Sequence, residues 1–531
     1  MGLSLPHVNA VLFALLLVDA FSPATAANAT PDIPIAPAPF AFLIWPVIYV
    51  FTAAHVFTDC FLRDLSLYEL SDSPTELRLC FTSSCVLNML WIALNNWLQW
   101  INVATFDLIL LKASLAPIYM LLIQRKTPFE WRRYLVSELA IHLYFAWVVV
   151  AMLLCLTQSL QDFNGAYLSF DTYVVLLVFL LEFGLCGVVY ALDPVMGLVV
   201  MWALFGLASR SDISTDPTLQ HTNELLRACA SLGGPLTSLM IFASILHQRQ
   251  QATSKGPLSW FQPAPPVTYG STLVSWLSFL NAALLVVQAG VNIAYAKYFV
   301  LLAREYETLI SPASFAFAIW IPIYALEVLL VLTDLLYPQN SFFADANQPM
   351  QLRACFALSC VFNTLWLVLY VKHYIVGATV MIFLLWLVLL VLYIYSVNDR
   401  GGRAGSGFDW KLYVCNELPI AMYFAWVTCT AFFHLAIALQ ESRQGFLMLS
   451  TYVTHLSIVA VFALLAVLYA QDAIFGLVAV WYFIAVSSKH VALPAKILAA
   501  DLSVRACAGE AAGIVAAMLI ISTLSMFMVD R

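Results

Sequence analysis

Charge is what this sequence most lacks. Only 10% of its 531 residues are Asp, Glu, Lys or Arg, and 63% are hydrophobic, whereas soluble domains carry about 25% charged and 45–50% apolar residues. A water-soluble globule is therefore excluded. The net charge of −7 is scattered through short loops, and no basic patch or charge run points to a nucleic-acid partner or a polybasic lipid anchor. Gly-rich phosphate loops, zinc motifs and nucleophile elbows are missing from any context that would give them meaning. The expectation is a protein that is not an enzyme and uses no cofactor and no metal. Cysteine is present but lacks metal-ligand spacing. Of the 11, Cys80 and Cys85 recur as Cys355 and Cys360, and Cys229 recurs as Cys507. Positions five apart do not share a helical face, so these read as small buried hydrophobes.

What is present in quantity is apolar sequence in runs of about 20 residues, the length of a helix crossing a hydrocarbon core of about 30 Å. With lipid as solvent each span must satisfy its own backbone, so the fold class is an all-α polytopic bundle in the lipid bilayer.

The runs come in two sets. Phe40–Tyr49, FAFLIWPVIY, returns 275 positions on as Phe315–Tyr324, FAFAIWIPIY, with seven of ten residues identical. LRLCFTSSCVLNMLW, ending at Trp91, returns at the same offset as LRACFALSCVFNTLW, ending at Trp366. SELAIHLYFAW, ending at Trp147, returns as NELPIAMYFAW, ending at Trp426, at an offset of 279. A tandem duplication with about eight spans per copy follows. The first unit is placed at 1–247, a Pro- and Gln-rich linker at 248–270, and the second unit at 271–531. The first run, Leu5 to Ala20, followed by small residues from Ser22 to Ala29, imitates a secretory signal, but the second copy has a corresponding span at Leu273–Ala296, so a retained helix is expected. The seventh run of each copy, about 15 residues, is marginal for crossing and is read as a short or re-entrant span. In the first copy Arg63, Arg125, Lys126, Arg132, Arg133, Arg249 and Lys255 fall on the side of the amino terminus, which favours a cytoplasmic amino terminus. The acceptor sequon at Asn28 then lies on the opposite side.

Helical positions three or four apart share a face. Phe42, Trp45 and Tyr49 form one stripe, with Phe317, Trp320 and Tyr324 its twin. Asn88 and Trp91 pair on the third span, as do Asn363 and Trp366. Tyr144 and Trp147 pair on the fifth, as do Tyr423 and Trp426. Aromatics of this kind also serve as interfacial anchors or as plain packing. These sit several residues inside their runs, however, and a buried Asn needs a partner for its amide. The joint reading is an aromatic-lined pocket for a small molecule.

Among ionisable residues, Glu138 and Glu417 recur near the start of the fifth span and read as helix-start caps. Glu138 has His142 four residues on, a weak acid/base candidate because the second copy has Ala421 there. Asp107, Lys112 and Glu182 occur in the first copy alone and Glu327 in the second alone; Lys112 reads either as a partner of Asp107 or Glu182 or as the mark of a polar path between the halves. Arg78 and Arg353 read as snorkelling residues at helix entries. Asp193 and Asp472 read as amino-caps.

Each copy resembles the TspO/MBR-like tryptophan-rich sensory proteins, relatives of the translocator protein or peripheral-type benzodiazepine receptor. The likeness rests on an Asn-containing first span (Asn9, Asn281), the P-x-x-F-x-F-x-I-W-x-x-I-Y second span, the N-x-x-W third span and the Y-x-x-W fifth span. It covers roughly the first five spans of each copy. The fifth-span proline is present as Pro419 but replaced by Ala140, and the motif proline moves from Pro46 to Pro322. The resemblance implies a five-helix fold binding apolar, often planar ligands such as porphyrins or sterols, as receptor, sensor or carrier. The implied ligand-binding residues are Trp45, Tyr49, Asn88, Trp91, Tyr144 and Trp147, with Trp320, Tyr324, Asn363, Trp366, Tyr423 and Trp426 in the second copy. The alternative is a secondary transporter with its pathway between parallel halves, using Lys112, Glu182 and Glu327.

Overall fold

A computed structural model describes residues 4–20, 33–124, 130–210, 217–252, 271–345, 349–402, 409–489 and 495–529. The small-residue stretch with Asn28 and most of the expected linker lie outside them. The chain divides into two compact units, Met1–Ile245 and Leu246–Arg531.

The first unit holds α1 (Leu5–Ala20), α2 (Ile44–Phe61), α3 (Pro74–Ile92), α4 (Ile101–Ile123), α5 (Leu139–Asn164), α6 (Phe170–Val189), α7 (Pro194–Ala208) and α8 (Pro217–Ala252), the last of which runs on past Ile245. The second repeats them as α9 (Ser271–Glu305), α10 (Trp320–Leu336), α11 (Pro349–Val371), α12 (Ile375–Gly402), α13 (Leu418–Arg443), α14 (Leu449–Leu468), α15 (Ala473–Ser487) and α16 (Ala495–Val529). Thirteen of these are long and apolar enough to cross a membrane; α1, α7 and α15 are shorter. No strand occurs among the described residues. Eight helices per copy agree with the sequence reading, and α8 runs to Ala252, five residues into the stretch expected as linker.

Starts and stops follow local chemistry. Proline occupies the first helical position of α3 and α7, where its missing N–H has no partner to lose. Asp193 caps α7 by accepting from the Val195 N–H at 3.0 Å, and Asp472 caps α15 by accepting from Ile474 and Phe475 at 3.0 and 3.2 Å. The helix ending at Asn164 is closed by Gly165 at φ 63°, the left-handed conformation glycine adopts without strain. Gln444 takes that conformation in the second unit, at φ 49°.

The fifth span is the axis of each unit. Counted with the short turns that lead into it, 78% of its most apolar window is buried in the first unit and 83% in the second, the largest shares among the candidate spans, so it is the helix most enclosed by protein. In the first unit α5 packs on α2, α4 and α7, and α1 packs on α2 and α3; α13 packs on α10, α12, α14 and α15, and α9 on α10 and α11.

Two kinds of helix irregularity separate inherited from local features. Tyr134–Glu138 and Tyr413–Glu417 are π turns at equivalent places. Ala93–Trp97 is a π turn in the first unit alone, whereas α11 runs through as plain α-helix. The offset explains it. Trp91 matches Trp366 at 275, but the left-handed turn residues Gln99 and His373 match at 274, so the first copy carries one extra residue here. A π turn is how a helix absorbs a single insertion without losing its ladder.

Candidate functional site

The motif helix is held by its seventh neighbour at three matched points. The carbonyl of Gly206 accepts from the Ala38 N–H and that of Ala485 from Ala313, each at 2.9 Å. The indole of Trp202 donates to the Ala41 carbonyl at 2.9 Å, and that of Trp481 to Ala316 at 3.1 Å. Arg210 donates to the Ile33 carbonyl and Lys489 to that of Thr308, each at 2.7 Å. The short α7 and α15 therefore fasten the turn from which the aromatic stripe starts. Burial pushes the pKa of Lys489 down and Asp501, 3.6 Å away, opposes that shift.

That turn aims the stripe. Trp45 stacks on Tyr49 at 5.6 Å and on Trp91 at 6.0 Å, and meets Tyr144 and Trp147 edge-on at 6.3 and 6.5 Å. Phe42 meets Trp147 edge-on at 6.0 Å. In the second unit Trp320 stacks on Tyr324 at 5.6 Å and Trp366 at 6.2 Å, and meets Tyr423 edge-on at 6.1 Å. Phe317 meets Trp426 at 6.1 Å. These are the offset-stacked and T-shaped arrangements that ring quadrupoles favour. The six residues singled out in the first copy thus come together as one cluster, and in the second copy five do so, with Trp426 joined to Phe317. Behind the rings, the Asn88 amide donates to the Tyr144 hydroxyl at 2.5 Å and that of Asn363 to Tyr423 at 3.0 Å. All four of these polar residues are buried.

The clusters differ in their remaining polar atoms. In the first, Asn88 Oδ1 has no partner and the Trp91 indole faces the Cys155 sulfur, while the indole N–H groups of Trp147 and of its counterpart Trp426 are alike unpartnered. In the second, Asn292 donates to Asn363 Oδ1 at 3.1 Å and Trp366 donates to His434 Nε2 at 3.2 Å. Gln288 donates to Glu327 Oε2 at 3.5 Å. Gln288, Asn292 and His434 escaped the sequence reading because repeat matching selects what the copies share, and Leu16, Ala20 and Cys155 stand at their places in the first copy. A comparison restricted to mismatched polar positions inside matched spans would have found them.

Four expectations are corrected. Arg78 and Arg353 do not snorkel. Arg353 clamps Asp334 through Nε (2.8 Å) and Nη2 (2.6 Å) with both side chains buried, and Arg78 clamps Asp59 at 3.0 and 2.7 Å. Asp59 and Asp334 recur at the same offset as the arginines, the signal that would have paired them. Glu138 and Glu417 are not helix-start caps; they lie inside a continuous helical stretch, closing the π turns, and are buried. His142 does not pair with Glu138: its Nδ1 sits 2.7 Å from Asp193 Oδ2, which also accepts from Tyr119 at 3.0 Å. Lys112 meets aromatic faces rather than a carboxylate, with Nζ 4.7 Å from the Phe183 ring centre and 5.9 Å from that of Phe145. Among the described residues no His, Cys, Asp and Glu group has metal-ligand geometry. An apolar void lined by Ile35, Pro37, Val150, Leu177, Leu180 and Leu204 among others shares no residue with either aromatic cluster.

The family model for TSPO-like proteins matches the chain twice, over residues 8–261 and again over 271–523. The chain belongs to the TSPO-like family. It carries two TSPO-like copies in tandem, each spanning its whole eight-helix unit rather than the first five spans alone. No curated protein and no solved structure gives a significant match. Membership and the apolar helices together make this a multi-pass membrane protein.

Proposed function

We propose that each unit, residues 1–247 and 271–531 joined through 248–270, binds a small, planar, apolar ligand of porphyrin or sterol type at its aromatic cluster, as a receptor, sensor or carrier. The observation that carries the reading is the doubled constellation around Trp45 and Trp320, in which an aromatic box is backed by one buried Asn–Tyr hydrogen bond. A flat conjugated ligand replaces ring–ring contacts with ring–ligand contacts of the same geometry, and the amide fixes its orientation. Trp45, Tyr49, Asn88, Trp91, Tyr144 and Trp147 are the proposed contacts in the first unit. Trp320, Tyr324, Asn363, Trp366, Tyr423 and Trp426 are those in the second.

The test is porphyrin titration of the detergent-purified protein. Trp45→Ala and Trp320→Ala are each expected to weaken one of two sites by about two- to tenfold, a stacked aromatic pair being worth about 0.5–1.5 kcal/mol, with both proteins still monodisperse. Affinity unchanged in both variants rejects the assignment.

We also propose a cytoplasmic amino terminus, on the distribution of Lys and Arg in the first copy. Expression with microsomes should then give a glycosylated species that Asn28→Gln abolishes. A chain that stays unmodified despite membrane insertion places the loop with Asn28 on the cytoplasmic face.

A further inference from the structure

Resting on the aromatic-site reading above, we propose that the second unit's site selects a planar organic cation, a flat aromatic carrying a protonated nitrogen, through Glu327, whereas the first unit's site takes neutral ligands. Trp320, Tyr324 and Glu327 lie at i, i+4 and i+7 of α10, one face of that helix. Glu327 is 1% exposed. Its Oε2 has a single long contact from Gln288, and its Oε1 has no partner. Beside it the buried Tyr324 hydroxyl faces the Gln288 side chain, whose Oε1 is buried with no close partner. Gln288 is fully buried, and the backbone carbonyl of Gln288 is the other acceptor of the Asn292 amide that reaches Asn363. Polar atoms therefore run from Glu327 to the Asn363–Tyr423 bond behind the rings, and the open ones among them, Glu327 Oε1 and Gln288 Oε1, accept hydrogen bonds.

A carboxyl group at this depth is costly unless something pairs with it. A donor-bearing nitrogen meets that need directly, and the Trp320 face adds a second attraction, since indole is the strongest cation–π partner among side chains. The equivalent of Glu327 in the first unit is Thr52, whose hydroxyl is already satisfied by the Ile48 carbonyl at 2.8 Å. The first unit does hold two other carboxylates near its cluster. Asp19 at the end of α1 acts on the Tyr49 hydroxyl but is partly exposed, so water can serve it. Asp107 on α4 acts on Tyr144 and is buried with both oxygens unpartnered. It stands on a different helix from the stacking stripe, at the place Met381 takes in the second unit, so it does not share the face of Trp45 as Glu327 shares that of Trp320.

The experiment compares proflavine, a planar tricyclic cation, with xanthone, a neutral tricycle of similar size, on the full chain in nanodiscs. Glu327→Gln keeps shape and removes the charge. It is expected to weaken proflavine binding by about tenfold or more, the scale of one lost charge-assisted hydrogen bond, while xanthone affinity stays within about twofold. Trp320→Ala should weaken proflavine, and Trp45→Ala should weaken xanthone. Unchanged proflavine affinity in Glu327→Gln, with proflavine still weakened by Trp320→Ala, overturns the cation proposal and leaves the aromatic site standing. Xanthone binding unaffected by both Trp45→Ala and Trp320→Ala instead removes the site on which the proposal rests. Proflavine binding that follows Asp107→Asn rather than Glu327→Gln places the cation in the first unit and likewise overturns it.

Discussion

Replacing Arg353 with methionine is expected to destabilise the second unit by about 3–5 kcal/mol, because it strands the Asp334 carboxylate in a dry site. Both side chains of the pair are nearly inaccessible, at 1% and 3% exposure. Asp334 would keep only the hydroxyls of Ser278 and Ser341, at 2.6 and 2.7 Å. The measurement is the thermal midpoint in detergent, followed by retention on size exclusion. Pairing the change with Asp334→Leu should recover most of the loss, since deleting a buried ion pair outright is often close to neutral. Arg78→Met is expected to do less harm, because the Arg78 side chain is 11% exposed and already shares its charge with the exposed Glu69. A midpoint unmoved by Arg353→Met would show that the clamp contributes nothing to stability.

The second large effect is expected from Gly476→Val. A Cβ at Gly476 would lie 2.6 Å from Val467 Cγ2 and 2.9 Å from Leu519 Cδ2. Adding a branched side chain there must push α15 off α14 and α16. Overpacking of this kind costs about 1–3 kcal/mol, and in lipid it strikes the close backbone approach that small residues permit. Gly197 is the same position in the first unit, 2.5 Å from Val188 Cγ2 and 3.0 Å from Ile241 Cδ1, so Gly197→Val should behave alike. Gly234, whose added Cβ meets nothing within 4 Å, supplies the control. Gly234→Val should shift the midpoint little, as open surface positions do. If all three variants melt together, tight packing of the seventh helix is not what holds it.

How far each feature was legible depends on whether it repeats. The two copies, eight helices in each, and the stripes Phe42–Trp45–Tyr49 and Phe317–Trp320–Tyr324 were readable because identical residues at a fixed offset and a helical period of 3.6 are properties of sequence alone. The acidic caps Asp193 and Asp472 were readable for the same reason. The Arg353–Asp334 clamp was not, because it joins residues 19 positions apart on two helices and each member alone looks like a helix-end charge. His142 was assigned to Glu138 by proximity in sequence, but the chain turn at Asp193 brings a better acceptor to it from 51 positions away. The role of the short seventh helix was hidden too, since Trp202 and Trp481 donate to carbonyls more than 160 positions away. The polar set around Glu327 was hidden by divergence.

The unequal π turns order events in the history of the chain. The turn at Tyr134–Glu138 has its counterpart at Tyr413–Glu417, so the ancestor already bore it before the gene doubled. The turn at Ala93–Trp97 has none, so its extra residue entered, or its counterpart was deleted, after the halves had parted. Either event occurred one turn beyond Trp91 and left Asn88 and Trp91 in phase with Trp45. Length change in this lineage has been absorbed just outside the frame of the aromatic cluster.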